Sequence, residues 1–378
     1  MQTVRVLFLF GTRPEAIKLC PVVLYFQSQP ERFEVRVCVT AQHRGMLDQV
    51  LGAFGVKPDY DLNLMQPGQT LFQSTARMMA ALEPVLTGAD GWKPEIAFVQ
   101  GDTTTTLCGA LAAFYARVPV GHIEAGLRTG DLAQPFPEEM NRVLTGRLAE
   151  LHFGATAWAA ENLRREGVAE DRIWVTGNTG IDAVLHVKRG LEAGTMSAGV
   201  DWSWLDPARK LIVVTAHRRE SFGTGFTQIC EALAELANRP DVAIVYPVHP
   251  NPNVRDPVDR LLAGRPNIHR IAPLDYVAFV DLMRRSYLLI TDSGGVQEEG
   301  PSLGKPILVL REKTERPEAV AAGTVKLVGT NRERIVSEAC RLLNDPKIRE
   351  AMALVHNPYG DGRSSERIAD ATYSFFSR

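Results

Sequence analysis

The sequence contains no CxxC pair, no HExxH, no GxGxxG and no GxSxG. Each absence removes a class of chemistry. Without paired cysteines or helically spaced histidines there is no local set of metal ligands. Without the glycine fingerprint a nicotinamide cofactor is not indicated, and without the nucleophile elbow neither is a serine hydrolase. Five cysteines (Cys20, Cys38, Cys108, Cys230 and Cys340) are odd in number and scattered. They read as reduced, mostly buried thiols of a cytoplasmic protein. Excess positive charge is missing as well: the formal net charge is −2, so no basic field favours nucleic acid. No apolar stretch reaches membrane length, and no charged-then-apolar leader follows Met1.

What is present is a repeated alternation. Six short apolar runs fill the first half ("VRVLFLF", "EVRVCVT", "EIAFVQ", "VPVGHIEA", "LHFGAT", "IWVTGN"). Six more fill the second ("KLIVVTAH", "VAIVYPVH", "NIHRIAP", "YLLITDS", "PILVL", "TVKLVG"). Runs without polar alternation suit strands buried on both faces. Stretches of helical period lie between them, such as "CPVVLYFQSQ", "GFTQICEALAELAN" and "VAFVDLMRRS". Strand–helix alternation implies parallel sheets with right-handed crossovers. The expected fold is α/β: two Rossmann-like, doubly wound domains facing a cleft. Residues 1–177 would form the first and 178–362 the second, with a C-terminal helix at 363–378 able to pack back. The break is placed near Gly177–Asp182 because the polar segment "HVKRGLEAGTMSAG" follows.

In open parallel sheets ligands bind beyond the carboxyl ends of the strands. After the first strand come Gly11 and then Thr12-x-x-Glu15, the spacing of a capping box, with Pro14 suited to a first helical turn. Arg13 and Lys18 add full charges to the positive end of that helix, which reads as an anion site. The plainer reading is a capped helix with two solvated cations. "FVQGDTTTT" sets Asp102 at the third strand end, where an N-cap is the simple alternative. "GHIEAGLRTG" sets Glu124 at the fourth, with Gly121 and Gly126 allowing close approach. "PFPEEMNR" sets Glu138 and Glu139 near a helix start. Three carboxylate sites at the strand and loop ends of one half suit acid–base work.

The second half carries "VVTAHRRESFG", where His217, Arg218 and Arg219 follow a strand, and "VYPVHPNP", where His249 is more simply a turn residue. In "LLITDSGGVQEEG" the strand ends at Asp292, and Ser293, Gly294 and Gly295 open a helix whose bare backbone suits a phosphate. Glu298 and Glu299, one turn in, are placed for ribose hydroxyls. Arg316 precedes Pro317 after the next strand.

Taken in order, "GTRPEAIK", "TAQHRGMLDQVL", "GDTTTT", "GHIEAGLRTG", "PFPEEMNR", "TGNTGID", "HRRESFG", "DSGGVQEE", "SLGKP" and "TERPEA" resemble the bacterial non-hydrolysing UDP-N-acetylglucosamine 2-epimerases. The likeness runs from about Val4 to Gly362. It implies a glycosyltransferase-B-like architecture and interconversion of UDP-GlcNAc and UDP-ManNAc without metal or other cofactor. It also implies a homodimer. By resemblance, Asp102, Glu124, Glu138 and His217 are catalytic. Arg13, Lys18, Ser293, Gly294, Gly295 and Arg316 serve the diphosphate, Glu299 the ribose and Phe279 the uracil pocket. Leu274 stands where relatives often carry a polar residue. Three rivals remain: a hydrolysing relative releasing ManNAc and UDP, a glycosyltransferase on the same architecture, and a sugar-nucleotide sensor without turnover.

Some relatives bind a second, activating UDP-GlcNAc beside the active site. Gln42, His43, Arg218 and His249 match residues lining that second site, whereas Gly45 and Gly68 replace longer polar or cationic side chains. Missing charged contacts cost about 1–3 kcal/mol each when buried. The expected outcome is weak activation: a near-hyperbolic rate curve for UDP-GlcNAc, with UDP-ManNAc turned over alone. Strong sigmoidality in initial rates would show that the glycines leave the second site intact.

Overall fold

The computed structural model describes residues 3–41, 44–314 and 316–377; Gln42 and His43 lie outside them. One sheet consists of β1 (Val4–Phe10), β2 (Phe33–Val39), β3 (Tyr60–Asp61), β4 (Ile96–Gln100), β5 (Val120–Ile123), β6 (Leu151–Gly154) and β7 (Ile173–Val175). Its order is β3-β2-β1-β4-β5-β6-β7. A second holds β8 (Lys210–Thr215), β9 (Val242–Pro247), β10 (Ile268–Ile271), β11 (Leu288–Thr291), β12 (Ile307–Val309) and β13 (Val325–Leu327), ordered β10-β9-β8-β11-β12-β13. All the pairings are parallel. Helices connect the strands in both halves. This is the doubly wound α/β fold that the alternation of apolar runs predicts, of the glycosyltransferase-B-like kind that the resemblance implies. The twelve runs became twelve strands. β3 escaped notice because it is a two-residue edge, held beside β2 partly by the Asp59 carboxylate on Val37 N at 2.8 Å.

The chain divides into two units, Met1–Ala183 with Tyr359–Arg378, and Val184–Pro358. The division falls a few residues beyond the expected 177/178 break, for a visible reason. Asn178 N donates to Tyr359 O at 2.7 Å, and Asp182 accepts from Ser364 N and Ser365 N at 3.2 and 2.8 Å. Those bonds tie the end of the first stretch to the returning C-terminal segment. "HVKRGLE", the start of the polar segment after the expected break, is the second half of a helix, Thr179–Glu192, whose Ile181, Ala183, Val184 and Val187 are fully buried. In the first unit the C-terminal helix Ser364–Phe376 packs on helix Arg13–Gln27, and its Tyr373 meets the Phe33 ring edge-on at 6.0 Å.

Aromatic rings fill one side of the first sheet. Phe8 stacks on Phe98 at 5.1 Å and meets Phe26 edge-on at 5.3 Å. Phe98 lies directly over Gly121, where a Cβ would collide with its ring. Gly126, at φ +88°, likewise lets the Ala159 carbonyl approach. The close approaches expected at these two glycines are made by the protein's own core.

In both sheets the order reverses at one place, between β1 and β4 and between β8 and β11, and that switch point is where such folds bind ligands. At the first, the predicted capping box forms: Thr12 accepts from Glu15 N, and Glu15 reaches back to Thr12 N at 2.7 Å. The same carboxylate, 1% exposed, also takes Gly11 N at 3.1 Å and the Thr103 hydroxyl at 2.7 Å, with the Thr106 hydroxyl 3.2 Å away. Burial pushes its pKa up while these bonds oppose the rise. Glu15 thus ties the loop after β1 to the loop after β4. A Gln there keeps an acceptor for both backbone donors, and its amide faces threonine hydroxyls that accept. An Ala leaves the donors unpartnered, at about 1–3 kcal/mol each. Chemical denaturation should therefore show Glu15→Gln within about 1 kcal/mol of the parent and Glu15→Ala several kcal/mol below it. Equal losses in the two variants would contradict this account.

Candidate active site

The first unit gathers its carboxylates around the end of β4. Gly101, at φ +72°, turns the chain, and Thr103 rather than Asp102 caps helix Thr104–Tyr115 by accepting from Thr106 N at 3.1 Å. Asp102 is thereby released from the capping role. Its Oδ2 accepts from Arg142 Nη2 at 2.7 Å, and its backbone carbonyl accepts from Asn141 at 2.9 Å. Both partners lie on helix Glu138–Leu148. Burial raises the Asp102 pKa, Arg142 pulls it down, and the neighbouring Glu124 and Glu138 push it up again.

Glu124 follows β5 directly, with a left-handed backbone at φ +64°. A non-glycine residue costs of order 1–3 kcal/mol there, and such strain concentrates at functional positions. Lys18 Nζ reaches both of its carboxylate oxygens, at 2.6 and 2.7 Å, and the Gln100 amide donates to Oε2. A Cβ on Gly101 would stand 3.5 Å from Oε2, so Glu124 borders the Asp102 turn. Lys18 therefore spends its charge on Glu124. Arg13, first residue of its helix and half-buried, makes no ion pair with another described residue.

The pair Glu138 and Glu139 separates cleanly. Glu139, 1% exposed, accepts from Thr129 N and Gly130 N at 2.9 and 3.0 Å and faces Arg142 at 3.3 Å. It holds the loop in place. Glu138, at the helix start, has a buried Oε2 with no hydrogen-bond partner among the described residues.

Sequence reasoning missed His122. It lies inside β5, fully buried, and burial drives its pKa down to about 3. The neutral ring donates from Nε2 to Gly101 O at 2.8 Å, which fixes the turn before Asp102. The available signal was a histidine placed within an apolar strand.

In the second unit the switch point is held by Asp292, which is fully buried. Its Oδ2 accepts from His217 N and Arg218 N at 2.6 and 2.7 Å, and Oδ1 lies 3.4 Å from His217 Nδ1. Burial lowers the His217 pKa, opposed by Asp292 and reinforced by His249 and Arg218. The His249 ring stacks on His217 at 5.5 Å, and its Nδ1 accepts from Asn251 N at 3.1 Å, so His249 both turns the chain and covers His217. Arg218 Nε is buried and has no hydrogen-bond partner among the described residues.

Ser293 leads into helix Gly294–Glu299, and its own N–H is held by the Thr291 hydroxyl at 2.9 Å. The Arg316 guanidinium lies 3.4 Å from where a Gly294 side chain would begin. Glu298 holds it there, Oε1 to Nε at 2.5 Å. Glu298 is thus engaged with Arg316, and Glu299 Oε1 accepts from the Tyr276 hydroxyl at 3.5 Å. Phe279 sits half-buried on helix Tyr276–Arg285, in the same unit.

The family model described as UDP-N-acetylglucosamine 2-epimerase matches residues 27–372. UDP-N-acetylglucosamine 2-epimerase of Escherichia coli (strain K12) is 56% identical over 371 residues, 97% of this chain and 98% of that one. The solved enzyme of Neisseria meningitidis, bound to UDP-GlcNAc, is 46% identical with a TM-score of 0.87, covering 99% of this chain and 100% of that one. The Methanocaldococcus jannaschii enzyme, in complex with UDP-GlcNAc and UDP, is 32% identical with a TM-score of 0.76, covering 98% and 100%. The motifs, the doubly wound sheets and these likenesses agree: the chain belongs to the UDP-N-acetylglucosamine 2-epimerase family.

Proposed function

We propose that this chain inverts C2 of UDP-GlcNAc reversibly, giving UDP-ManNAc by elimination and re-addition of UDP. The observation that carries the reading is the contrast among the first unit's carboxylates. Asp102 has a raised pKa, and Glu138 has a buried oxygen with neither a hydrogen bond nor an ion pair among the described residues, whereas Glu139 Oε2, also without a hydrogen bond, faces Arg142 at 3.3 Å. Groups left with unspent proton affinity are the ones able to move protons.

The chemistry asks for more than one such group. The C2–H is not next to a carbonyl and is a weak acid. Departure of UDP from C1 creates an oxocarbenium-like centre and acidifies it. Proton loss then gives 2-acetamidoglucal and UDP. Protonation on the opposite face and return of UDP complete the inversion. Asp102 and Glu138 are assigned to the two faces. Glu124, held by its ion pair with Lys18, is assigned as a fixed carboxylate near the developing cation. Arg13, Arg316 and the Ser293–Gly295 turn are assigned to the leaving diphosphate, with His217 beside them, Glu299 to the ribose and Phe279 to the uracil. Lys18 acts on the diphosphate only indirectly, through its pairing with Glu124. Arg218 and His249 remain assigned, with Gln42 and His43, to the second nucleotide.

The reading makes the protein a non-hydrolysing epimerase of the cytoplasm, acting as a homodimer and supplying ManNAc units for surface polysaccharide. Among the described residues no helix is long and apolar enough to cross a membrane. An NMR time course with UDP-GlcNAc alone separates it from its rivals. UDP-ManNAc as product supports it. Free ManNAc with UDP indicates the hydrolysing reaction. A transferase gives no sugar product without an acceptor. In D2O, deuterium should appear at C2 of both sugars. Product free of solvent deuterium would count against elimination through an exchanging group.

The roles are separable by kinetics. Asp102→Asn and Glu138→Gln should lower kcat by about 10²–10⁴-fold with UDP affinity nearly unchanged. Arg13→Ala should chiefly weaken nucleotide binding by calorimetry. The reverse pattern would move the carboxylates to a binding role.

A further inference from the structure

The three carboxylates assigned to the reaction sit on separate pieces of chain. Asp102 is on the turn after β4, Glu124 follows β5, and Glu138 opens helix Glu138–Leu148. Two consecutive carbonyls of the Asp102 turn, Gly101 O and Asp102 O, lie after the strand and before the next helix. Carbonyls in such a place need donors from elsewhere. Each receives one from a buried side chain. His122 Nε2 donates to Gly101 O at 2.8 Å, and Asn141 Nδ2 donates to Asp102 O at 2.9 Å. These two side chains belong to residues only 1% and 2% exposed. His122 stands two residues before Glu124, and Asn141 stands one helical turn after Glu138. The Asp102 turn is therefore bonded once to the strand that leads to Glu124 and once to the helix that carries Glu138.

A histidine is a costly way to fill an apolar strand. A carbonyl only accepts, so the bonded ring nitrogen is the one that carries the proton. Nδ1 of the neutral ring is then a buried acceptor, and it has no hydrogen-bond partner among the described residues. Such a group bears its full desolvation penalty, which an apolar side chain would avoid. What the ring supplies in return is the bond from Nε2. Burial drives its pKa down to about 3, so that bond is constant near neutral pH. Asn141 has a second hold beside it: the next residue, Arg142, donates to Asp102 Oδ2 at 2.7 Å. One turn of helix thus fixes both the backbone and the carboxylate of Asp102.

We propose that His122 and Asn141 are positioning residues for the epimerisation: through Gly101 O and Asp102 O they hold Asp102 in register with Glu124 and Glu138. The inference rests on the assignment of those three carboxylates to proton transfer and charge stabilisation. Neither His122 nor Asn141 is assigned a contact with substrate. A misplacement of about 1 Å at a reacting group costs up to about 100-fold in rate. The nucleotide contacts are assigned to other residues and would be left in place.

The test follows UDP-GlcNAc epimerisation by NMR, with kcat expressed per UDP-binding site counted by calorimetry, so that misfolded protein drops out. His122→Met and Asn141→Leu remove the donors at similar volume. Each should lower kcat about 10–100-fold and leave UDP affinity within about twofold of the parent. His122→Gln sets an amide N–H near the place of Nε2 and should regain most of the loss. Parent-like kcat in both donorless variants, with Asp102→Asn impaired, overturns the inference and leaves the carboxylate assignment standing. Full activity in Asp102→Asn overturns that assignment, and the inference with it. Asn141→Ala serves where Asn141→Leu does not fold. For His122 a second measurement is NMR of the parent with isotope-labelled histidine, which should show a neutral ring with its proton on Nε2 across about pH 6–8. A proton on Nδ1 would remove the bond to Gly101 O and overturn the part played by His122.

Discussion

At a topological switch point two neighbouring strands send their connections to opposite faces of the sheet. The loops diverge, and backbone N–H groups beyond the last ladder bond are left without strand partners. Buried donors of that kind must be satisfied. One buried carboxylate does so in each unit: Glu15 takes Gly11 N and Thr12 N, and Asp292 takes His217 N and Arg218 N. Each also reaches the loop of the neighbouring strand. Glu15 starts on the β1 side and holds Thr103; Asp292 starts on the β11 side and holds the turn after β8. The placement of Arg13 relative to Asp102, and of His217 relative to Ser293, rests on these two side chains.

Counting the partners of each carboxylate oxygen, ion pairs included, sorts the acidic residues better than position does. Glu15, Glu139, Glu298 and Asp292 all lie near proposed reactive groups. Their contacts are to backbone N–H groups, hydroxyls, arginine or histidine, so their charge is used in holding the fold. Glu139 Oε2 and Asp292 Oδ1 also lack a hydrogen bond, but Arg142 and His217 stand 3.3 and 3.4 Å from them, whereas the buried Oε2 of Glu138 has neither a hydrogen bond nor an ion pair among the described residues. A carboxylate accepts roughly four bonds when ionised, so that vacancy is a costly feature in a folded protein. It makes sense when a ligand fills it.

The fold was legible because both-face burial leaves an uninterrupted apolar run for each strand, and only the two-residue β3 was too short to register. The Thr12–Glu15 box was legible because capping is local in sequence. What stayed hidden was long-range pairing. Nothing near Lys18 announces Glu124, and nothing near Glu139 announces the backbone of Thr129. The stretch after Asp182 read as a polar segment beyond a domain break because its polar residues obscured the buried stripe of Ile181, Val184 and Val187. His122 was unremarkable for a similar reason: its partner, Gly101 O, belongs to another strand.

The charge balance of the first unit fits the proposed chemistry. Asp102, Glu124 and Glu138 face two cations, Lys18 and Arg142, and Arg142 is shared with Glu139. Glu139 has two backbone donors besides, so the shortage of positive charge falls on the other three. Crowded carboxylates in a poorly hydrated place resist carrying every charge at once, and one of them takes up a proton more readily than usual. The raised Asp102 pKa is the visible sign, with Glu124 and Glu138 among its causes. Elimination and re-addition need one group that accepts a proton while another has one to give. Three carboxylates short of one compensating charge favour the uptake of a proton more than a fully paired set would, in the direction of the Asp102 shift.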